Sequence, residues 1–103
     1  MIKNILKPLG VPVKETMFDR TPTGDYIVYM DDVTADGSDY ENRIYTHDYT
    51  VEVYEKKANP TLEAALEAEL NSRGIKWTKQ SRYWVTGADR FQVIYEFTII
   101  IKT

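Results

Sequence analysis

RIYTHDYTVEVYEKKANPTLEAALEAELNSRG, residues 43–74, changes its hydrophobic period partway through. Tyr45, His47, Tyr49, Val51 and Val53 fall on one parity, with Thr46, Asp48, Thr50, Glu52 and Tyr54 on the other. Period two over this length predicts a long, half-buried strand. The pattern then turns helical. Asn59 suits an N-cap, Pro60 the first helical position and Glu63 the first turn, while Gly74 stands where a left-handed residue would end the helix. Residues 60–73 are thus expected to form the main amphipathic helix. Leu62, Ala65, Leu66 and Leu70 make its apolar stripe, and Glu63, Glu67 and Asn71 are expected to face away.

On the N-terminal side, YIVYM (26–30) is a compact aromatic and β-branched run that reads as a strand. Before it, VPVKETMF (11–18) leans toward strand but carries Pro12, which suits a strand entry or an edge. In MIKNILKPLG, Ile2, Ile5, Leu6 and Leu9 have helical spacing, with Gly10 and Pro12 as the stop. On the C-terminal side, IKWTKQSRYWV (75–85) and DRFQVIYEFTIIIK (89–102) read as two strands joined by TGAD, where Gly87 suits a tight turn. The last strand is apolar on both faces, with Phe91, Val93, Tyr95, Phe97, Ile99 and Ile101 on one side and Ile94 and Ile100 on the other. Such a strand belongs in the middle of its sheet or in an interface. The expectation is one α+β domain over 1–103: a mostly antiparallel sheet of about five strands, with the main helix and a short N-terminal helix packed on it.

Composition narrows the function. The 103 residues are 43% hydrophobic and 28% charged, which is the profile of a folding chain rather than a disordered one. There is no cysteine, so disulfide frameworks, Cys zinc sites and thiol catalysis are excluded. The apolar run at the N-terminus is too short for a signal h-region or a membrane span, and no other segment is long enough, so the expectation is a soluble, unexported protein with no membrane partner. A net charge of −3 argues against specific nucleic-acid binding, which depends on Lys and Arg releasing counterions.

That charge is unevenly placed. Thr21 to Asn42 holds Asp25, Asp31, Asp32, Asp36, Asp39 and Glu41 with no Lys or Arg; Asn71 to Ala88 holds Arg73, Lys76, Lys79 and Arg82 with no acid. DDVTADGSDYENR (31–43) reads as a polar loop. Tested as a calcium loop from Asp32, it offers Asp32, Thr34, Asp36 and Gly37 in register, but position 12 is Arg43 and Glu41 comes two places early. No metal site is expected. His47, the single histidine, has Asp48 and Glu52 on the opposite strand face, so it reads as a partly buried structural residue. No nucleophile elbow, phosphate loop or zinc spacing is present, so no catalytic residue and no cofactor are expected. The eight tyrosines and two tryptophans, with Tyr54, Tyr83 and Trp84 placed on partly exposed faces, fit an interface or a covering of the sheet. An acidic segment and a basic one in a small domain complement each other head to tail, the contact that closes into a ring. Asp31, Asp32, Asp36, Asp39, Tyr40 and Glu41 on one side, and Lys76, Lys79 and Arg82 on the other, are the candidate interaction residues.

GDYIVYMDD, a polar loop, YENRIYTHDYTVEVYEKKANPTLEAALEAEL, GIKWTKQSRYW and FQVIYEFTI together resemble the small tail terminator (tail completion, head-tail joining) proteins of long-tailed bacteriophages and prophages. The likeness runs from about Gly24 to the end and rests on the order of its pieces, not on a single motif. It implies a structural role without catalytic residues: a hexameric homo-oligomer ring that caps the tail tube protein, meets the head-tail connector protein and lets DNA pass. The implied location is the virion tail, with assembly in the host cytoplasm. Two other readings stand beside it: a different small head-tail junction or minor tail protein, and a small hydrolase or ligand-binding module in which Asp31, Asp32 and His47 converge in a pocket.

Overall fold

The computed structural model describes residues 1–37 and 43–102. In chain order it contains α1 (Ile2–Leu6), a 3-10 turn (Lys7–Leu9), β1 (Val13–Glu15), β2 (Tyr26–Asp36), β3 (Ile44–Glu55), α2 (Pro60–Ser72), β4 (Trp77–Lys79), β5 (Tyr83–Val85) and β6 (Arg90–Lys102). The α+β class is as expected, but the sheet has six strands and is mixed. Its order is β1-β2-β3-β6-β4, with β5 also on β6, and β1 runs parallel to β2 while every other pair is antiparallel. The parallel edge follows from the chain path: β1 is only three residues long, and residues 16–25 carry the chain back so that β2 starts beside it.

The long strand at 43–55 forms as its alternation predicts, with Tyr49, Val51 and Val53 buried on one face. It pairs along its whole length with β6 on one side, and from Ile44 to Tyr54 with β2 on the other. That explains the main departure from expectation. Asp31–Asp36 is not loop but the second half of β2, registered from Asp31 opposite Tyr49 to Asp36 opposite Ile44. A twelve-residue β3 needs hydrogen-bond partners for its far half, and Val33-Thr34-Ala35 supplies strand-compatible residues between the aspartates.

Asn59 caps α2 by accepting from Leu62 N at 3.1 Å, and the helix closes through Gly74 at φ 69° with Ile75 N donating to Leu70 O. Leu62, Leu66 and Leu70 are buried against Ile27, Val51, Val53, Val93 and Tyr95, each contributing on the order of 1.5–3 kcal/mol. Ile2, Ile5 and Leu6 of α1 complete the same core. Two helix positions differ from the expected stripe: Ala65 is exposed, and Glu63 is buried. Between β5 and β6 the left-handed residue is Asp89, at φ 53°, and not Gly87; Asp89 N closes the turn on Thr86 O at 3.2 Å. The predicted single strand at 75–85 is broken into β4 and β5, which meet different parts of the same edge of β6.

The sheet face away from the helices is closed near β1 by the 16–25 segment. Arg90, 7% exposed, stands over the Tyr26 ring and donates to the carbonyls of Pro22, Thr23 and Gly24 at 3.1–3.3 Å. Three strands, Asp31–Asp36, Ile44–Asp48 and Thr98–Lys102, continue beyond the last pairings of β1, at Tyr29, and of β4, at Phe97.

Candidate interaction surface

The acidic half of β2 splits by parity. Asp31 lies on the helix side of the sheet, where both its carboxylate oxygens approach His47 Nδ1, at 3.0 and 3.1 Å. Tyr49 stacks beside the imidazole, and its hydroxyl is pushed up to about 12 by burial first and by the Asp31 charge second. Asp32 points to the other face, opposite Asp48, an unfavourable like-charge pair. Asp48 accepts a hydrogen bond from Thr98 Oγ1 at 2.6 Å. Asp31 and His47 therefore meet, while Asp32 lies across the sheet from them, so the three do not form one site. The parity rule separated His47 from Asp48 and Glu52 as expected. Its partner comes from the neighbouring strand, a relation visible only once the β2–β3 register is fixed. Asp36 is exposed and accepts from Gly37 N. Asp39, Tyr40 and Glu41 lie outside the described residues.

The basic segment is distributed differently from its sequence appearance. Lys79 Nζ lies 2.9 Å from Glu63 Oε1 and 2.9 Å from Glu67 Oε2, and Arg82 lies 2.6 Å from Glu63 and 3.3 Å from Glu55. Both cations thus clamp the β4–β5 segment to α2 and to the end of β3. Glu55 is completely buried, and among the described residues its Oε2 receives no hydrogen bond from an N–H or hydroxyl donor. Burial raises its carboxyl to about 7, reinforced by Glu63 beside it. Burial also works against the charge of Glu63, but hydrogen bonds from Glu55, Arg82 and Lys79 outweigh it and hold that carboxyl below the usual range. Tyr95 donates to Glu67 at 2.6 Å, and burial raises its own ionisation. The signal for this cluster was the pair of glutamates at the start of α2, read as a wet face for want of knowing that β4 and β5 cross it.

Lys76 is exposed and makes no ion pair among the described residues. It borders a groove of about 800 Å³ between Ile75 and Trp77 on one side and Phe97, Thr98 and Ile100 of β6 on the other. Tyr83 and Trp84 are exposed, at 49% and 45%. The Tyr83 hydroxyl donates to Gln92, which donates to Tyr54, which donates to Glu52, so these rings are held in place on the surface. Met17, Met30 and Ile100 are also exposed. Among the described residues no group of three His, Asp or Glu is placed to hold a metal ion, and no helix is long and apolar enough to cross a membrane.

No family model matches the sequence, and no curated protein matches it. Among solved structures the fold is similar to that of a chain in the virion of a native gene transfer agent (GTA) particle, with a TM-score of 0.60 and 17% identity, covering 96% of this chain and 84% of that one. The likeness of fold therefore extends over nearly all of this chain.

Proposed function

We propose that the protein is a structural component of a phage-type virion, and that within it the chain acts as a tail terminator: a ring that caps the tail tube and joins it to the head connector. The observation that carries this reading is the fold likeness to a chain of a gene transfer agent virion over 96% of the sequence. The residue pattern supports it. Asp31 and His47 satisfy each other, and the groups an acid/base site would need are spread over two faces of the sheet. The role is one of contact, not catalysis. Exposed Tyr83, Trp84 and Ile100 on a rigid sheet, acids along one edge and Lys76 near the other suit a protein that meets copies of itself and other virion proteins.

The test is solution mass by light scattering at low and high salt, with and without purified tail tubes. Ring-sized mass or binding to tube ends supports the terminator. Binding to heads but not tubes moves the protein to another place in the head-tail junction, the second reading that the same fold likeness allows. A monomer that ignores both overturns the proposal.

A further inference from the structure

The three-stranded extension has two open edges. At β2, Ile27 N donates to Pro12 O and Thr16 N to Tyr29 O, so odd-numbered residues turn their backbone groups away from β3. Beyond Tyr29 no described strand meets that side, leaving Asp31, Val33 and Ala35 facing outward. At β6, Gln80 N donates to Ile94 O, so even-numbered residues face away from β3. β4 ends its pairing at Phe97, leaving Ile100 and Lys102 outward among the described residues. Val33 and Ile100 are also large apolar side chains left 47% and 59% exposed. Unpaired ladder groups beside exposed β-branched residues form a template for another strand.

The two edges are complementary in charge. The β2 edge carries Asp32 and Asp36, with Asp32 already set against Asp48. The β6 edge carries Lys102, with Lys76 beside its groove, and neither lysine has an ion-pair partner among the described residues. Two β2 edges would bring aspartates together and two β6 edges lysines, so like pairs with like badly. The faces also agree: Val33 and Ala35 lie on the same side of the sheet as Ile99 and Ile101, so joining β2 to β6 continues one apolar face.

We infer that the outer edge of β2 in one copy of this chain adds to the outer edge of β6 in the next, extending the sheet from subunit to subunit. The inference rests on the ring-forming reading above and gives that ring its contact. Such a join is heterologous, so each copy keeps one free edge of each kind until the assembly closes.

Proline substitution tests it without touching the internal ladders, because the N–H groups of Val33 and Ile100 both point outward. Val33→Pro blocks the β2 edge and Ile100→Pro the β6 edge. Native mass spectrometry should show the unsubstituted protein assembling on its own or on tail tubes, and each variant alone as a monomer with an unchanged circular dichroism spectrum. Mixed, the two variants should form a heterodimer and nothing larger, since one edge of each kind survives. Lys102→Glu should weaken assembly at low salt at least tenfold, and Asp32→Lys in the same chain should restore part of it. If the unsubstituted protein forms rings and both proline variants do too, the edge contact is overturned while the ring reading stands. If Ile100→Pro alone dimerises, the join is β2 to β2 and the inference is wrong. An unsubstituted protein that stays monomeric with and without tubes overturns both, and one that stays monomeric yet loses a foreign partner on Ile100→Pro assigns the edge to that partner instead.

Discussion

The carboxyls of Glu55 and Glu63, one at the end of β3 and one in the first turn of α2, are held by the single guanidinium of Arg82. With Glu67 and Lys79 the cluster has three acids and two bases, so one proton balances it. Glu55, fully buried and lifted to about 7, takes up that proton as pH falls below neutral.

Stability should therefore fall as pH rises through the window set by Glu55. Its native carboxyl titrates near 7 against an ordinary value of 4.5, so the native state binds more protons than the unfolded state between those values. The stability linked to it is fully present below 4.5 and lost as pH climbs toward 7, roughly 3 kcal/mol at most at 1.36 kcal/mol per unit. Glu55→Gln mimics the protonated form and should remove this slope. Urea midpoints of both proteins from pH 4 to 8 check it: the variant should gain relative stability as pH rises, and parallel curves would refute the assignment.

Arg82→Met should leave Glu55 and Glu63 facing each other with one cation fewer. Loss of one partner of a buried pair costs about 3–5 kcal/mol, but Arg82 is about a third exposed and screened, so about 1–3 kcal/mol is expected. The loss should be larger at pH 8, where Glu55 is ionised, than at pH 6, as measured by chemical denaturation.

Leu66 is fully buried at the centre of the α2 stripe. Leu66→Ala should cost about 2–5 kcal/mol through lost transfer energy and the cavity left beneath the helix. Ala65→Ser, on the exposed neighbour that the sequence stripe included, should change stability by less than about 0.5 kcal/mol. Thermal melts of the two variants separate the observed stripe from the predicted one.

Arg90 holds the 22–24 carbonyls against the sheet with its guanidinium. Arg90→Met should keep the core but release that segment, so amide hydrogen exchange should accelerate from Thr21 to Asp25 while β3 and β6 stay protected. Uniform acceleration across the chain would mean that Arg90 supports the whole fold instead.

Periodicity made the backbone of this structure readable. The alternation of 45–54, the Asn59-Pro60 start and the Gly74 stop were local signals, and the structure keeps them because local preference and packing agree there. What sequence missed depends on register. Whether Asp31–Asp36 is loop or strand is decided by the length of β3, and whether Glu63 is wet is decided by β4 and β5 crossing α2. Asp31 finding His47, and Lys79 with Arg82 turning inward, follow from the same cause: charges that look available in a string are assigned to partners by strands far away in it.

The β3–β6 ladder runs unbroken from Ile44 opposite Lys102 to Glu55 opposite Phe91. Its hydrogen bonds lie across the strand direction, so a pull along the strands loads them in shear and all must stretch together. A pull across the strands at the Ile44 end opens the ladder like a zip, one pair at a time. The molecule, 48 Å long and 22 Å thin, is thus a tie-rod: stiff to tension along its length and weak to peeling at its tip.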